Sequence, residues 1–318
     1  MPLSLSNRVG HAKVVTMDNY ASRVAGLFAG GAAAEAAAID PENTEISTGT
    51  QLSLYVADGL LEVLEWAAEG QAADPPATIW LALLRWYKNR YGALAEGVPA
   101  APGRWIDHYE LYPGDVDAAT KTGLEEPEMG LVHKPHGVEA TGADALMRAA
   151  PPGMLPQLDA EWVTNMSRQV AVLTHADWVT PTAYSLLIHH VLTGKTLLEA
   201  VTEVLEWLSS IDEGAHLADR IRAGLGEGIE APATAAEVLA AGIAAVADTL
   251  EEAVAPEQLY ATAVTKAVNA AGHTQATALV AGQLAGALLG NTAVGTPSRL
   301  TNYPMVEDAI DRWIKLTT

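Results

Sequence analysis

The 318-residue sequence contains no cysteine, which excludes disulfide bonds and thiolate metal sites and leaves the redox compartment open. Basic residues are also scarce, because 18 lysines and arginines stand against 39 aspartates and glutamates and give a formal net charge of −21. This charge opposes polyphosphate backbones and anionic lipid surfaces, and the few basic residues form no strong cluster. We therefore expect neither a nucleic-acid partner nor a membrane partner.

Long apolar runs are a second absence. No run approaches the ~18 uninterrupted apolar residues of a membrane-spanning helix. The opening stretch MPLSLSNRVGHAKVV has no apolar segment of signal-peptide length. The sequence thus predicts a soluble protein with a cytoplasmic location.

Most of the chain has the composition and spacing of helices. Strand-like alternation and a dinucleotide-binding glycine pattern are absent. Besides the helix that follows Gly272, the predicted helices cover residues 19–38, 50–69, 74–91, 115–124, 159–175, 181–193, 196–211, 215–225, 234–254, 256–270 and 304–316. A chain of this length can bury roughly 75% of its unfolded surface. We expect an all-α fold, with residues 1–18 as a loose N-terminal arm and residues 19–318 as one domain.

The stretch from Ala263 to Gly290 is predicted to organise the core, as two close-packed helices broken at Gly272. Small residues recur along one flank of the second helix, so a neighbouring backbone can approach closely, at Gly282, Ala285, Gly286 and Gly290. The break places three polar residues at a helix N-terminus, namely His273, Thr274 and Gln275. Free N–H groups and the positive dipole end favour an anion or a polar ligand there.

The same stretch carries a resemblance to a known family. Residues 267–275, AVNAAGHTQ, resemble the C-terminal motif of the ADP-ribosylglycohydrolase family, which reads AVN, two small residues and D-[TS]-D-[TS]. In that family the two aspartates bind a pair of divalent cations, usually magnesium or manganese. Here His273 and Gln275 occupy the aspartate positions.

Two earlier segments resemble the other metal motifs of the family. The predicted first helix matches R-x-x-G-x-x-x-G, but Glu35 stands where the family has an aspartate near the metals. Residues 47–51, STGTQ, resemble T-D-D-T-Q, with Thr48 and Gly49 in place of its two cation-binding aspartates. Thr50, Gln51 and Thr274 match the family motifs and so fix the alignment at both places. The resemblance therefore implies that the metal centre has been lost.

The family's ligand loop is altered as well. Residues 142–153, GADALMRAAPPG, resemble G-[NC]-G-x-x-M-R-x-x-P-x-G, in which the glycine loop wraps the diphosphate of ADP-ribose. Gly142 and Arg148 match, but Asp144 occupies the second glycine position and would repel a diphosphate. Two interpretations remain open: Asp144 caps the following helix, or it marks a change of ligand.

The histidines outside these motifs are weak evidence for a metal site. Thr174-His175 resembles the family's T-H-G-H-P, and we interpret His175 as a buried structural histidine. His133, Lys134 and His136 lie in a segment rich in turn residues, for which a solvated loop is predicted.

The resemblance implies an all-α, single-domain orthogonal helical bundle with a cleft between helix starts. The cleft is predicted to be lined by Ser47, Thr48, Gly49, Gly142, Asp144, Arg148, Thr274 and Gln275. Glu35 is the one carboxylate left at the metal position, and a pair of dications needs several hard oxygen ligands. We therefore expect no metal cofactor, although the family normally uses magnesium or manganese.

Three functional hypotheses follow. The first is a degenerate family member that has lost metal-dependent ADP-ribosyl hydrolysis and acts as a binding or regulatory protein, with a small-molecule ligand. The alternative is a repurposed, metal-independent enzyme acting on a glycoside- or nucleoside-like substrate, with Glu35 and His273 as the acid/base pair. A third, scaffolding role predicts a cleft filled by side chains. The sequence leaves the ligand and the oligomeric state undetermined.

Overall fold

The computed structural model describes residues 17–40, 42, 45–252 and 254–318. These residues form fourteen α-helices and no β-strand, which confirms the predicted all-α fold. The helices are α1 Met17–Ile39, α2 Thr48–Ala68, α3 Pro75–Tyr91, α4 Ala118–Glu125, α5 Asp144–Met147, α6 Ala160–Ala171, α7 Val179–Leu192, α8 Leu197–Ser209, α9 Ala215–Glu227, α10 Ala235–Glu251, α11 Leu259–Asn269, α12 Thr274–Leu289, α13 Asn291–Val294 and α14 Tyr303–Thr317. Of these helices, none has both the length and the apolar character needed to cross a bilayer.

Helices α1 and α12 form the centre of the core and run antiparallel. A β-carbon added to Gly286 would lie 2.0 Å from the carbonyl oxygen of Gly26, and one added to Gly282 would lie 2.4 Å from that of Gly30. The two backbones therefore touch directly, with no side chain between them. This confirms the predicted close approach along the small-residue flank of a buried central helix.

The predicted break before this helix is also confirmed. Helix α11 ends at Asn269, α12 begins at Thr274, and Gly272 between them has a φ of +81°. A β-carbon at Gly272 would lie 2.4 Å from the carbonyl oxygen of Pro232. Glycine is required there both for its left-handed backbone and for the lack of space.

Helix α2 lies largely in the core. Its first two-thirds, Thr48 to Leu61, are buried, and it packs on α3. Asp58, in the middle of α2, is fully buried and pairs with Arg85 of α3 and with Arg104, whose Nε lies 3.0 Å away. A buried carboxylate held by two guanidinium groups locks the α2–α3 pair in one register.

Several predicted helix ends differ from the structure, among them the start of α4, predicted at residue 115, and the end of α10, predicted at residue 254. The helix expected over residues 159–175 stops at Ala171, because the next residues turn to place Thr174 and His175 in a buried polar cluster. Of the expected arm of residues 1–18, residues 1–16 lie outside the described part of the chain. Helix α1 begins at Met17, two residues earlier than the sequence predicts.

Candidate functional site

The start of α2 binds the carboxylate of Glu35, which extends from α1. The backbone N–H groups of Gly49 and Thr50 donate to the two carboxylate oxygens at 2.8 Å each, and the Thr50 hydroxyl donates at 2.7 Å. Ser47, at the N-cap position, makes no capping bond with its side chain. Glu35 thus caps α2 from another helix and satisfies N–H groups that a helix start leaves free.

The environment of Glu35 shifts its protonation. Its side chain is 1% exposed, and burial raises the pKa of Glu35 from 4.5 to about 7. The three hydrogen bonds favour the charged form and lower the pKa, whereas the nearby negative charge of Asp144 raises it further. Desolvation is the larger effect, so the pKa of this carboxyl group lies in the neutral range.

The space around the start of α2 is closed by other parts of the chain. A β-carbon at Gly49 would lie 2.7 Å from the sulfur of Met147, and one at Gly114 would lie 2.5 Å from the hydroxyl of Thr48. The Gln51 side chain donates to the carbonyl of Tyr112 at 3.1 Å and holds the loop around Gly114 against the helix.

The predicted cleft residues at this helix start are consequently enclosed. Ser47 is 1% and Thr48 is 4% exposed. Neither hydroxyl has a hydrogen-bond partner among the described residues. The structure brings Ser47, Thr48 and Gly49 together with Glu35 in a buried floor.

Asp144 lies beside this floor and does not cap a helix. It is the first residue of α5, whose N-cap is Ala143, and no side chain caps that helix. Its carboxylate instead accepts the backbone N–H of Asp117 at 2.9 Å. The interpretation of Asp144 as a helix cap is therefore wrong, because its carboxylate bonds to a segment 27 residues earlier in the chain.

Asp117, which the sequence reasoning missed, begins a buried chain of hydrogen bonds. Its carboxylate caps α4 through the N–H of Thr120 and lies 2.7 Å from Nε2 of His175. Nδ1 of His175 lies 2.8 Å from the Thr174 hydroxyl, which accepts from Arg148 at 2.6 Å. His175 is 1% exposed with both ring nitrogens bonded, which confirms the predicted buried histidine.

The charges in this chain act on one another. Burial tends to raise the pKa of Asp117, but the hydrogen bond and charge of His175 outweigh it and lower that pKa to about 2. Burial, together with the charge of Asp117, raises the pKa of Asp144 to about 6. An aspartate directly before a helical segment, as at Asp117, indicates a helix start from sequence alone. It carries no information about the contact with His175.

Arg148 and Gly142 are positioned by this chain and do not line an open cleft. Arg148 is fully buried, and burial lowers its pKa to about 10. Its Nε and Nη1 have no partner among the described residues. Gly142 lies against Asp117, where a β-carbon would come within 2.4 Å of the carboxylate.

The residues at the start of α12 lie apart from Glu35. His273 and Gln275 are exposed, and the Thr274 hydroxyl donates to the carbonyl of Ala270 at 3.0 Å. Within the described parts of the chain, no hydrogen bond or ion pair joins His273 to Glu35. The structure therefore does not assemble these two side chains as an acid/base pair.

The donor set at the cleft does not fit a pair of divalent cations. The four positions at which the resembled motifs carry aspartate are occupied by Thr48, Gly49, His273 and Gln275. Both carboxylate oxygens of Glu35 already accept hydrogen bonds from the start of α2. In residues 17–40, 42, 45–252 and 254–318, no group of three or more histidine, aspartate or glutamate side chains could hold a metal ion.

The solvated loop proposed for the segment around His133 is confirmed. His133 is exposed, and Lys134 is exposed and pairs with Glu128 at 2.8 Å. Nδ1 of His136 lies 3.1 Å from the carbonyl oxygen of Leu173. Lys134 and His136 have separate partners, and the described residues of this segment form no joint site.

Comparisons with known proteins give one family model and a solved structure that are similar to this chain. The family model described as ADP-ribosylglycohydrolase matches residues 16–315. A solved structure described as an ADP-ribosylglycohydrolase-related protein complex is 21% identical in sequence and covers 95% of this chain and 100% of its own, with a TM-score of 0.67. At this identity the solved structure supports the fold alone. A comparison with curated proteins finds no match.

Proposed function

The chain belongs to the ADP-ribosylglycohydrolase family, and we propose that it is a member without metal-dependent ADP-ribosyl hydrolase activity that acts as a binding or regulatory protein. The observation that carries this proposal is the state of Glu35. Both oxygens of this one remaining carboxylate accept hydrogen bonds from the start of α2.

Electrostatics at the helix start support the proposal further. The N-terminus of α2 carries a partial positive charge that favours the Glu35 carboxylate and opposes a cation in the same place. Magnesium and manganese bind hard oxygen ligands, usually several carboxylates and waters. The neutral groups of Thr48 and Gly49 supply no charge to offset that opposition.

The test is a hydrolysis assay on the full chain. We expect no release of ADP-ribose from an ADP-ribosylated protein above the background measured with EDTA, when magnesium or manganese is supplied. We also expect manganese titration followed by electron paramagnetic resonance to show no saturable site. Release of ADP-ribose that requires either cation would refute the proposal.

A metal-independent enzyme is the second candidate, and the raised pKa of Glu35 favours it. A carboxyl group with a pKa of about 7 lies in the range useful for general acid or base catalysis at neutral pH. The substrate class proposed is a glycoside or nucleoside with no charged diphosphate, since Asp144 occupies the diphosphate loop.

Two variants decide this second candidate. Turnover of a nitrophenyl glycoside or a nucleoside panel should be lost in Glu35→Gln. His273→Ala should leave turnover unchanged, because His273 is exposed and has no hydrogen bond to Glu35 among the described residues. Thr50→Val removes one hydrogen bond to Glu35 but keeps its carboxyl, and serves as the folding control. Unchanged turnover in Glu35→Gln would end the proposal.

A further inference from the structure

A cavity of about 360 Å³ lies away from Glu35, between the loop at Ala140–Thr141 and the starts of α7, α9 and α10. Its volume lies in the range of sites for small molecules. The residues that line it include Asp177, Trp178, Thr180, Glu213 and His216.

Thr180 supplies an unused hydroxyl in the wall. It is 2% exposed and lines the cavity, and its backbone N–H donates to Asp177 at 3.2 Å. Its hydroxyl makes no hydrogen bond among the described residues. By contrast, the hydroxyls of Thr193 and Thr249 each donate to the carbonyl oxygen four residues earlier. Because the residue lines the cavity and its hydroxyl has no partner in the described part of the chain, this group is available to a bound molecule.

The charged side chains that line the cavity are acidic, although the Arg168 guanidinium stacks on Trp178 in its wall. Asp177 and Glu213 line it, and neither forms an ion pair within the described residues. His216 is the one other titratable group among the described lining residues, which include no lysine or arginine. An anion in the cavity would meet two carboxylates at short range, whereas a cation would be attracted by both.

Two of the three helix starts at the cavity do not reverse this balance. The positive end of α7 is already capped by Asp177, which accepts the N–H groups of Val179 at 3.1 Å and Thr180 at 3.2 Å. The start of α10 is capped by Thr234 and by Glu237, which accepts the N–H of Ala233 at 3.0 Å. The protein's own oxygens therefore occupy donors at these two starts, whereas the start of α9, with Gly214 as its N-cap, has no side-chain cap.

Trp178 gives the cavity a fixed aromatic wall. The guanidinium of Arg168 lies 4.1 Å from its ring centre, and Trp207 meets it edge-on with ring centres 6.3 Å apart. These two contacts hold the indole in place. A rigid aromatic surface beside two carboxylates suits a molecule with an apolar body and a positive end.

We propose that this cavity binds a compact organic ammonium compound. Its charged end lies between Asp177 and Glu213, an N–H donates to the Thr180 hydroxyl, and its apolar body packs on Trp178. This inference goes beyond the proposed function, because it uses none of the residues around Glu35 and holds whether or not the chain hydrolyses ADP-ribose.

The test compares three probes of one shape and different charge, measured on the full chain by isothermal titration calorimetry. The probes are 2-phenylethylamine, 2-phenylethanol and 3-phenylpropionate. We expect the amine to bind most tightly and the carboxylate to bind roughly tenfold or more weakly. Equal affinities for the amine and the carboxylate, or no binding of the amine, would overturn the proposal.

Matched variants locate the binding. Asp177→Asn and Glu213→Gln should each weaken binding of the amine several-fold, and asparagine still caps α7. Thr180→Val should weaken it, whereas Thr182→Val should not, because Thr182 has a buried, unpartnered hydroxyl that does not line the cavity. An equal effect of Thr180→Val and Thr182→Val would also overturn the proposal. ADP-ribose release in the separate metal assay would refute the proposed function and leave this result standing.

Discussion

Glu35 is under two opposing influences at the residue scale. The start of α2 offers three hydrogen bonds that favour its carboxylate, while the dry surroundings and the charge of Asp144 favour the neutral acid. Desolvation prevails, since the pKa rises to about 7 in spite of the hydrogen bonds. Glu35 is therefore a helix cap whose charge depends on pH in the neutral range.

This balance predicts a pH dependence of stability. The folded state binds a proton at Glu35 more tightly than the unfolded chain, whose pKa is 4.5. The contribution to the free energy of unfolding is therefore full below pH 4.5 and is lost as the pH rises through about 7. Glu35→Gln cannot titrate, so the difference between it and the wild type should change by on the order of 2–3 kcal/mol across this window.

Urea unfolding followed by circular dichroism at pH 4.5 to 8 measures this difference. Glu206→Gln is the control, because Glu206 is an exposed glutamate on α8 and its replacement should leave the wild-type pH dependence intact. Parallel pH profiles for Glu35→Gln and the wild type would show that Glu35 does not titrate in this range.

The contact between α1 and α12 dominates at the scale of elements. Four glycines, Gly26, Gly30, Gly282 and Gly286, allow the two backbones to touch. Glycine is a poor helix former, at a cost of about 1 kcal/mol per residue relative to alanine. The close packing of two buried helices must offset that cost, and it also fixes where Glu35 on α1 meets α2.

A pair of alanine substitutions separates packing from helix propensity. Gly286→Ala places a methyl group against the backbone of Gly26 and should destabilise the protein by roughly 3 kcal/mol or more. Gly226→Ala, near the end of α9, meets nothing within 4 Å and should stabilise it by a few tenths to about 1 kcal/mol. Thermal unfolding measures both changes. A melting temperature of Gly286→Ala equal to that of the wild type would show that the two helices can separate at little cost.

Charge governs behaviour at the scale of the whole molecule. A net charge of −21 on 318 residues produces self-repulsion in the compact state. Buried ion pairs such as Asp58 with Arg85 are shielded from solvent, whereas the excess of exposed carboxylates is open to screening by salt. Stability should therefore depend on ionic strength.

We expect the melting temperature to rise when sodium chloride is increased from about 0.02 M to about 0.2 M, because the Debye length falls below roughly 10 Å at the higher concentration. Magnesium chloride at the same ionic strength should give a similar, gradual rise. A melting temperature that falls with salt would contradict the prediction. A rise that saturates at low magnesium concentration would instead reveal a specific cation site and count against the loss of the metal centre.

The sequence by itself determined the helices and the close approach of α12 to a neighbour. Alanine content and apolar spacing act between residues a few positions apart, so they can be read locally, as can the turn at Gly272. The motifs at residues 267–275 and 142–153 likewise identified the family from the printed residues, and the match over residues 16–315 agrees.

Only the tertiary structure decided what the polar residues touch. Glu35 caps a helix that starts 13 residues later, and Asp144 bonds to Asp117 across 27 residues. Arg148, expected at an open cleft, is fully buried beside Thr174. The cavity at Thr180 arises where three helix starts, far apart in sequence, come together. Hydrogen-bond partners and burial depend on how remote segments pack, and local pattern carries no information about that packing.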